Sequence, residues 1–297
     1  MNRVVERTEL EAPPSLPPLY ARAILGALVP GGGDQLPERE ILVRGADIDP
    51  DRVADYARVC GLRFGGDAPG TYPHVLAFPL HLRLMTERSF PFGVLGMVHI
   101  ANRIEALAPI HLGSRLDLRA RAEGLRAHRR GRQFDLLCDA ELDGRPVWRE
   151  RSTYLHREEG HEERSSSGSS PDSERRDQLG GEEGAGAPVA EWRVPGDIGR
   201  RYAAVSGDRN PIHLHELSAR AFGFPGAIAH GMWTAARCLA AFEGRIGDAY
   251  ALEVEFGSPL RIPGRARLLT RPREGGWEFA VTDPRGERTH LRGSIVG

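Results

Sequence analysis

The stretch YAAVSGDRNPIHLHE, residues Tyr202–Glu216, contains a strong helix-start signal. The side chain of Asn210 can accept hydrogen bonds from free backbone N–H groups, and Pro211 has the backbone angle that the first helical position needs. We expect this helix to cover 211–222 and to end at Gly223, because glycine readily takes the left-handed conformation that ends a helix.

The same stretch also carries ionisable groups. Asp208 precedes the predicted helix and His213 lies in its first turn, so both side chains can face one cleft as an acid–base pair near neutral pH. A purely structural interpretation is that Asp208 and Asn210 only cap the helix. A metal site at His213, His215 and Glu216 is disfavoured, because the two histidines, two positions apart, point to different helix faces.

An internal duplication is indicated by two matches in the same order. Tyr56–Gly61 (YARVCG) resembles Tyr202–Gly207 (YAAVSG) at an offset of 146 residues, and APIHLGSRLDL from Ala108 resembles SPLRIPGRARL from Ser258 at an offset of 150. Two collinear matches at nearly one offset predict two related units in one chain.

The composition places a boundary between these units. Among the 297 residues, the segment 157–188 is dominated by Ser, Gly and Glu and lacks aromatic residues, so we predict a flexible linker there. It separates an N-terminal domain, 1–156, from a C-terminal domain, 189–297. The Pro-rich residues 1–18 are predicted to form a loosely held arm.

Each domain combines a long apolar helix with alternating strands. The helices are expected near 75–88 and 230–242, and several strands with Gly and Pro turns follow each of them. This pattern predicts an α+β fold in which an antiparallel sheet wraps round a helix in each half.

Charge and apolar content exclude several classes of function. The formal net charge of −1 gives no field that would attract nucleic acid. No stretch is long and apolar enough to span a membrane, and the sequence has no secretory h-region, so we expect a cytoplasmic protein. Every basic residue is Arg, so any phosphate on a ligand must be bound by Arg, His or backbone amides.

The predicted long helix of the second half starts at His230-Gly231. A glycine there lets a ligand approach, and the free N–H groups and dipole of the helix could stabilise a developing oxyanion. The alternative is that Gly231 only permits tight packing.

The stretch 202–232 resembles the motif of the MaoC-like hydratases: a Tyr, then Ser-Gly-Asp-x-Asn-Pro-Ile-His, and later His-Gly-Met. These are (R)-specific 2-enoyl-CoA hydratases and 3-hydroxyacyl-thioester dehydratases with the hot-dog fold. The resemblance implies a double hot-dog, with two antiparallel sheets each wrapped round a long helix. It is sharp over 202–232 and diffuse in the first half.

The resemblance also implies roles for individual residues. Asp208 and His213 would activate water and return a proton to the α-carbon, Asn210 would orient the pair, and the Gly231 N–H would contact the thioester oxygen. Tyr202 and Ser206 would help to bind the substrate.

The implied reaction converts trans-2-enoyl thioesters reversibly to (3R)-3-hydroxyacyl thioesters of CoA or acyl-carrier protein. It needs no metal and no redox cofactor. The protein would be a pseudo-dimeric monomer or a homodimer. A hot-dog thioester hydrolase and a non-catalytic acyl-thioester-binding subunit stay open as alternatives.

The first half lacks the ionisable pair. At the offset of 146, Asp208 aligns with Leu62, Asn210 with Phe64 and His213 with Asp67. We therefore expect the first half to provide scaffold without chemistry and to leave room for a bulky or long acyl chain in an apolar cavity.

Overall fold

The computed structural model describes residues 6–26, 34–94, 96–158 and 186–297. The helices are α1 (Leu16–Gly26), α2 (Pro50–Cys60), α3 (Pro73–Met85), α4 (Ile198–Ser206), α5 (Pro211–Leu214), α6 (Glu216–Ala221) and α7 (Gly231–Ala240). The strands are β1 (Glu6–Leu10), β2 (Arg39–Asp47), β3 (Val98–Ala106), β4 (Arg115–His128), β5 (Gly131–Leu142), β6 (Arg145–Arg157), β7 (Ala187–Val194), β8 (Tyr250–Phe256), β9 (Gly264–Arg273), β10 (Gly276–Thr282) and β11 (Thr289–Val296).

One 11-stranded sheet runs through both halves in the order β1-β2-β4-β5-β6-β3-β8-β11-β10-β9-β7. Apart from β1, the order is symmetric about the antiparallel pair β3–β8, where Asn102 lies opposite Val254. Each half contributes five related strands that wrap round one buried helix, α3 or α7. The two sheets expected from the sequence are thus present, joined edge to edge.

The duplicated helices α2 and α4 face each other across this symmetry. Tyr56 and Tyr202, at the matching positions, are both buried, and their ring centroids lie 6.2 Å apart. Gly61 and Gly207 end the two helices in the same way, with φ of 68° and 77°. Only glycine takes these angles at little cost, so the offset of 146 is confirmed over these helices.

The halves diverge directly after these glycines. The second half inserts α5 and α6 before its long helix, whereas the first half goes to α3 by a short connection. Asp67 forms an isolated bridge with His111, and Ile228 forms the related bridge with Arg261. Asp67 therefore occupies the place of Ile228, and the alignment of Asp67 with His213 is wrong, because the insertion changes the offset.

Two further expectations differ from the structure. The single helix over 211–222 is broken, because His215 is extended with φ −144° and ψ 148°. The arm 1–18 is held where it is described, since β1 pairs in parallel with β2 and α1 begins at Leu16. Of the predicted linker, 159–185 lies outside the described residues, and β7 begins at Ala187.

Within the described parts of the chain, no helix has both the length and the apolar character needed to cross a membrane.

Candidate active site

The loop between α4 and α5 positions Asp208 by short-range hydrogen bonds. Ser206 Oγ donates to the Tyr202 carbonyl at 2.8 Å and accepts the N–H of Asp208 at 3.2 Å. Asp208 Oδ1 accepts the Asn210 N–H at 3.1 Å, and Asn210 Oδ1 accepts the Ile212 N–H at 3.4 Å. This is the predicted helix cap. It leaves Asp208 Oδ2 outside these loop bonds.

His213 lies in α5 with 8% of its surface exposed. Its Nδ1 lies 2.9 Å from the carbonyl oxygen of Ile228, which can only accept, so Nδ1 carries the proton. In the neutral ring, Nε2 then has a free lone pair. A histidine held in this tautomer is prepared to accept a proton.

His230, the residue before α7, completes the cluster. Its ring stacks on that of His213, with centroids 3.7 Å apart. Its Nε2 donates to the backbone carbonyl of Asp208 at 3.0 Å and lies 3.8 Å from Asp208 Oδ2. His230 therefore packs against one member of the pair and fixes the backbone of the other.

The protonation states follow from burial and mutual charge. Burial would raise the pKa of Asp208, but His230 and His213 outweigh it and hold that pKa below its ordinary value. Burial lowers the pKa of His213, and burial together with His213 lowers the pKa of His230 to about 3. Near neutral pH the cluster thus has one carboxylate and two neutral imidazoles.

These three residues could also hold a metal ion. Asp208, His213 and His230 each offer a ligand atom, and these atoms lie within 4.8 Å of one another. Two imidazoles and a carboxylate are common ligands of transition metals. The same spacing also suits a water molecule hydrogen-bonded to two of the groups.

Helix α7 starts with its N-terminus at this cluster. The N–H of Gly231, the first residue of α7, has no intrahelical acceptor, so it is available to an oxyanion. A Cβ on Gly231 would lie 2.8 Å from Cε1 of the Phe256 ring. The glycine is therefore required by packing, and this packing brings the helix start close to β8.

The first half reaches the loop that carries Asp208 through α1. Tyr20 Oη donates to the Gly207 carbonyl at 2.8 Å and accepts the N–H of Arg209 at 2.6 Å. These two backbone groups flank Asp208. Burial, and then the charge of Asp208, raise the pKa of Tyr20 above its ordinary value, so the hydroxyl keeps its proton.

Comparisons with known proteins agree with this geometry. Residues 187–271 match the family model described as "MaoC like domain". The 3-hydroxyacyl-thioester dehydratase X of Mycobacterium tuberculosis is 39% identical over 278 residues, which are 93% of this chain and 96% of that protein.

The chain belongs to the MaoC-like dehydratase family.

Solved structures of similar proteins support the same fold. The crystal structure of HtdX from Mycobacterium tuberculosis matches with a TM-score of 0.75 and 37% identity, over 87% of this chain and 100% of that one. A second Mycobacterium tuberculosis protein, whose title describes a double hotdog fold, matches with a TM-score of 0.52 and 13% identity over 85% and 93%. The predicted double hot-dog is confirmed.

Within this MaoC-like chain, the predicted site residues fall into two groups. Asp208, Asn210 and His213 lie together, and Gly231 directly follows His230, which contacts both Asp208 and His213. Tyr202 and Ser206 lie behind the loop: Ser206 is used in loop hydrogen bonds, and Tyr202 packs its ring against His230 with centroids 4.8 Å apart. Their positions support the loop, and substrate contact by either residue stays a prediction.

Sequence reasoning missed the contributions of His230 and Tyr20. The pattern marked His230 only as the residue before a helix, although a polar residue at that place could have suggested it. Tyr20 gave no sequence signal, because its contact with residues 207 and 209 depends on how α1 packs across the halves.

Proposed function

We propose that this protein catalyses the reversible hydration of trans-2-enoyl thioesters to (3R)-3-hydroxyacyl thioesters. The observation that carries the proposal is the Asp208–His213 pair at the start of α7. An ionised carboxylate and a neutral imidazole have ligand atoms within 4.8 Å of each other, beside the free N–H of Gly231.

The chemistry is written with a water molecule bound between Asp208 and His213. The water oxygen forms a bond to C3 as one of its protons passes to Nε2 of His213. The electrons of the C2=C3 π bond move toward the thioester oxygen, where the Gly231 N–H stabilises the charge. C2 then takes a proton from the pair on the same face, and the thioester carbonyl is restored. The reverse sequence removes water.

Asn210 and His230 hold this arrangement. Asn210 donates its N–H to Asp208 Oδ1, and His230 donates to the backbone carbonyl of Asp208. The first contact limits rotation of the carboxylate, and the second fixes the backbone that carries it. Such preorganisation is what makes acid–base groups effective in a folded site.

The carrier of the acyl group is coenzyme A or acyl-carrier protein. A 3-hydroxybutyryl-CoA dehydratase of Methylorubrum extorquens is 40% identical over 65 residues, 20% of this chain and 41% of that protein. Since the chain has no Lys, Arg, His or backbone amides bind the phosphates of either carrier. The two joined hot-dogs also favour a pseudo-dimeric monomer or a homodimer. The N-terminal domain at 1–156 and the C-terminal domain at 189–297 would be the two hot-dog units of each chain.

A spectrophotometric assay tests the proposal. With crotonyl-CoA and a longer enoyl-CoA, we expect loss of the 2-enoyl absorbance without release of free CoA. Release of free thiol would instead identify a hydrolase. Binding without turnover of either substrate would identify a non-catalytic acyl-thioester-binding protein, and both results would overturn the proposal.

A further inference from the structure

A buried polar group lies in the first half, away from the chemistry proposed above. Glu150 Oε1 accepts hydrogen bonds from His74 Nδ1 at 2.5 Å, Asn102 Nδ2 at 2.5 Å and Ser152 Oγ at 3.1 Å. The Glu150 side chain is 0% exposed and that of His74 is 7% exposed. Burial alone would raise the pKa of Glu150, but His74 lowers it to about 2, so this is a buried ion pair.

Several polar atoms of this group lack a protein partner. Among the described residues, Glu150 Oε2, Asn102 Oδ1, His99 Nε2 and both ring nitrogens of His81 are buried without a hydrogen bond of ordinary geometry. The nearby Leu137 carbonyl favours the protonated form of His81, but it forms no hydrogen bond of ordinary geometry with either ring nitrogen. Leaving such an atom buried without a partner is unfavourable, so atoms like these bind water or a ligand.

This group continues the wall of the candidate active site. The His99 ring stacks on Tyr154, with centroids 4.6 Å apart, and meets Phe256 edge-on at 5.0 Å. Phe256 is the ring that packs against Gly231. His99 and Tyr154 are only half-buried, whereas His81 is fully buried, so exposure to solvent falls from His99 toward His81.

The charge of Asp208 also acts on His74, His99 and Tyr154. Ring contacts lead from Phe256 through His99 and His74 to His81, so an acyl chain that follows this wall from Gly231 approaches His81.

We infer that His81, His99, Asn102 and Glu150 form a subsite for a hydroxyl group on the acyl chain of the thioester substrate. The inference rests on the proposed function and specifies its substrate class. We expected an apolar cavity for the acyl chain in the first half. Along this wall the structure has polar side chains instead.

A hydroxyl matches the available atoms better than other groups do. Glu150 Oε2 and Asn102 Oδ1 can only accept, so they need a donor. Burial lowers the pKa of His81 to about 4 and that of His99 to about 3, so both rings are neutral and can donate or accept. A carboxylate would be repelled by Glu150 and Asp208, and an alkyl chain would leave all these atoms unpaired.

Matched substrate pairs test the inference. We would measure kcat/KM for hexenoyl-, octenoyl- and decenoyl-CoA, each with and without a terminal hydroxyl, on the full-length protein. For each pair, the preference is the ratio of the hydroxylated to the unhydroxylated substrate. Calorimetric Kd values for the same pairs give this preference independently of turnover. For at least one chain length we expect the hydroxylated substrate to be favoured by at least about tenfold, the discrimination given by one or two good hydrogen bonds.

Variants identify the residue that gives the preference. His81→Leu should lower the ratio at least about fivefold, and His81→Gln, which keeps a donor and an acceptor, should retain more of it. The control His290→Leu, in a histidine of the second half that bonds the Ser258 carbonyl, should leave the ratio unchanged.

The outcomes separate this inference from the proposed function. If every substrate is turned over, hydroxylated and unhydroxylated chains have equal kcat/KM, and His81→Leu changes nothing, the group only binds water. That result would overturn the subsite. Absence of turnover would overturn the hydratase, and the Kd ratios would then decide the subsite alone. If His81→Leu does not fold, the wild-type ratios and His81→Gln still decide.

Discussion

Each half of the molecule brings an aspartate close to a histidine, and the two pairs differ in almost every other respect. In the first half Asp67 Oδ1 lies 2.5 Å from His111 Nδ1, with the side chains 49% and 73% exposed. In the second half the ligand atoms of Asp208 and His213 lie within 4.8 Å of each other, and His213 is buried.

The comparison shows that residue types alone do not make an acid–base site. The exposed side chains contact each other directly, and solvent screens their interaction. The second pair has its imidazole bonded to Ile228, its carboxylate held by Asn210 and a free helix N-terminus beside it. We therefore assign the chemistry to the second half and treat the first as scaffold and acyl-chain wall.

The largest difference between the pairs is expected on removing the imidazole. His213→Ala should lower kcat by about 10² or more, because acid–base groups contribute at that scale. The matched variant His111→Ala in the first half should stay within about twofold of wild type. Hydration of crotonyl-CoA is the measurement, and equal effects of both variants would contradict the assignment.

Glycines give a second comparison of the halves. Gly231→Ala would place a Cβ 2.8 Å from the Phe256 ring, so the ring or the helix must move. Such overpacking costs about 1–3 kcal/mol, and we expect a lower Tm together with about a tenfold lower kcat. Gly65→Ala in the first half has open space around the new atom and should change neither. A Gly231→Ala enzyme with normal activity would remove α7 from the mechanism.

Two tyrosines that make contacts between the halves should differ in their role, because one positions Asp208 and the other only stabilises the fold. Tyr20→Phe loses the bonds to Gly207 and Arg209, each worth about 1 kcal/mol, so kcat should fall about fivefold with KM little changed. Tyr250 of the second half packs its hydroxyl directly against Gly70 in the first, and Tyr250→Phe should affect Tm but not kcat. If Tyr20→Phe lowers only Tm, Tyr20 does not position Asp208.

The pH dependence should reflect the lowered pKa of His213. The neutral imidazole is the active form, and burial shifts its protonation to lower pH than 6.5, the ordinary pKa of histidine. As pH falls, kcat/KM should hold through 6.5 and decrease only below it. A pH–rate profile for crotonyl-CoA checks this, and an acid limb centred above 6.5 would contradict the neutral-base assignment.

Much of the fold and part of the site follow from local sequence. Alternating strands and the Asn210 cap are short-range patterns that the structure confirms, and it brings Asp208 and His213 close together. Contacts between distant segments were not predictable: the Tyr20 bonds, the buried Glu150–His74 pair and the His230 stacking all depend on tertiary packing. The break at His215 was missed because the sequence there still has helical composition.

The central claim is that Asp208 acts and that Asp67, the aspartate that contacts a histidine in the first half, does not. The most direct test is to measure hydration of crotonyl-CoA by Asp208→Asn and Asp67→Asn side by side, with Tm measured for each. We predict that Asp208→Asn lowers kcat by about 10² or more at near-normal Tm, while Asp67→Asn keeps wild-type kcat. Near-normal hydration by Asp208→Asn, or an equal loss in Asp67→Asn, would contradict the account.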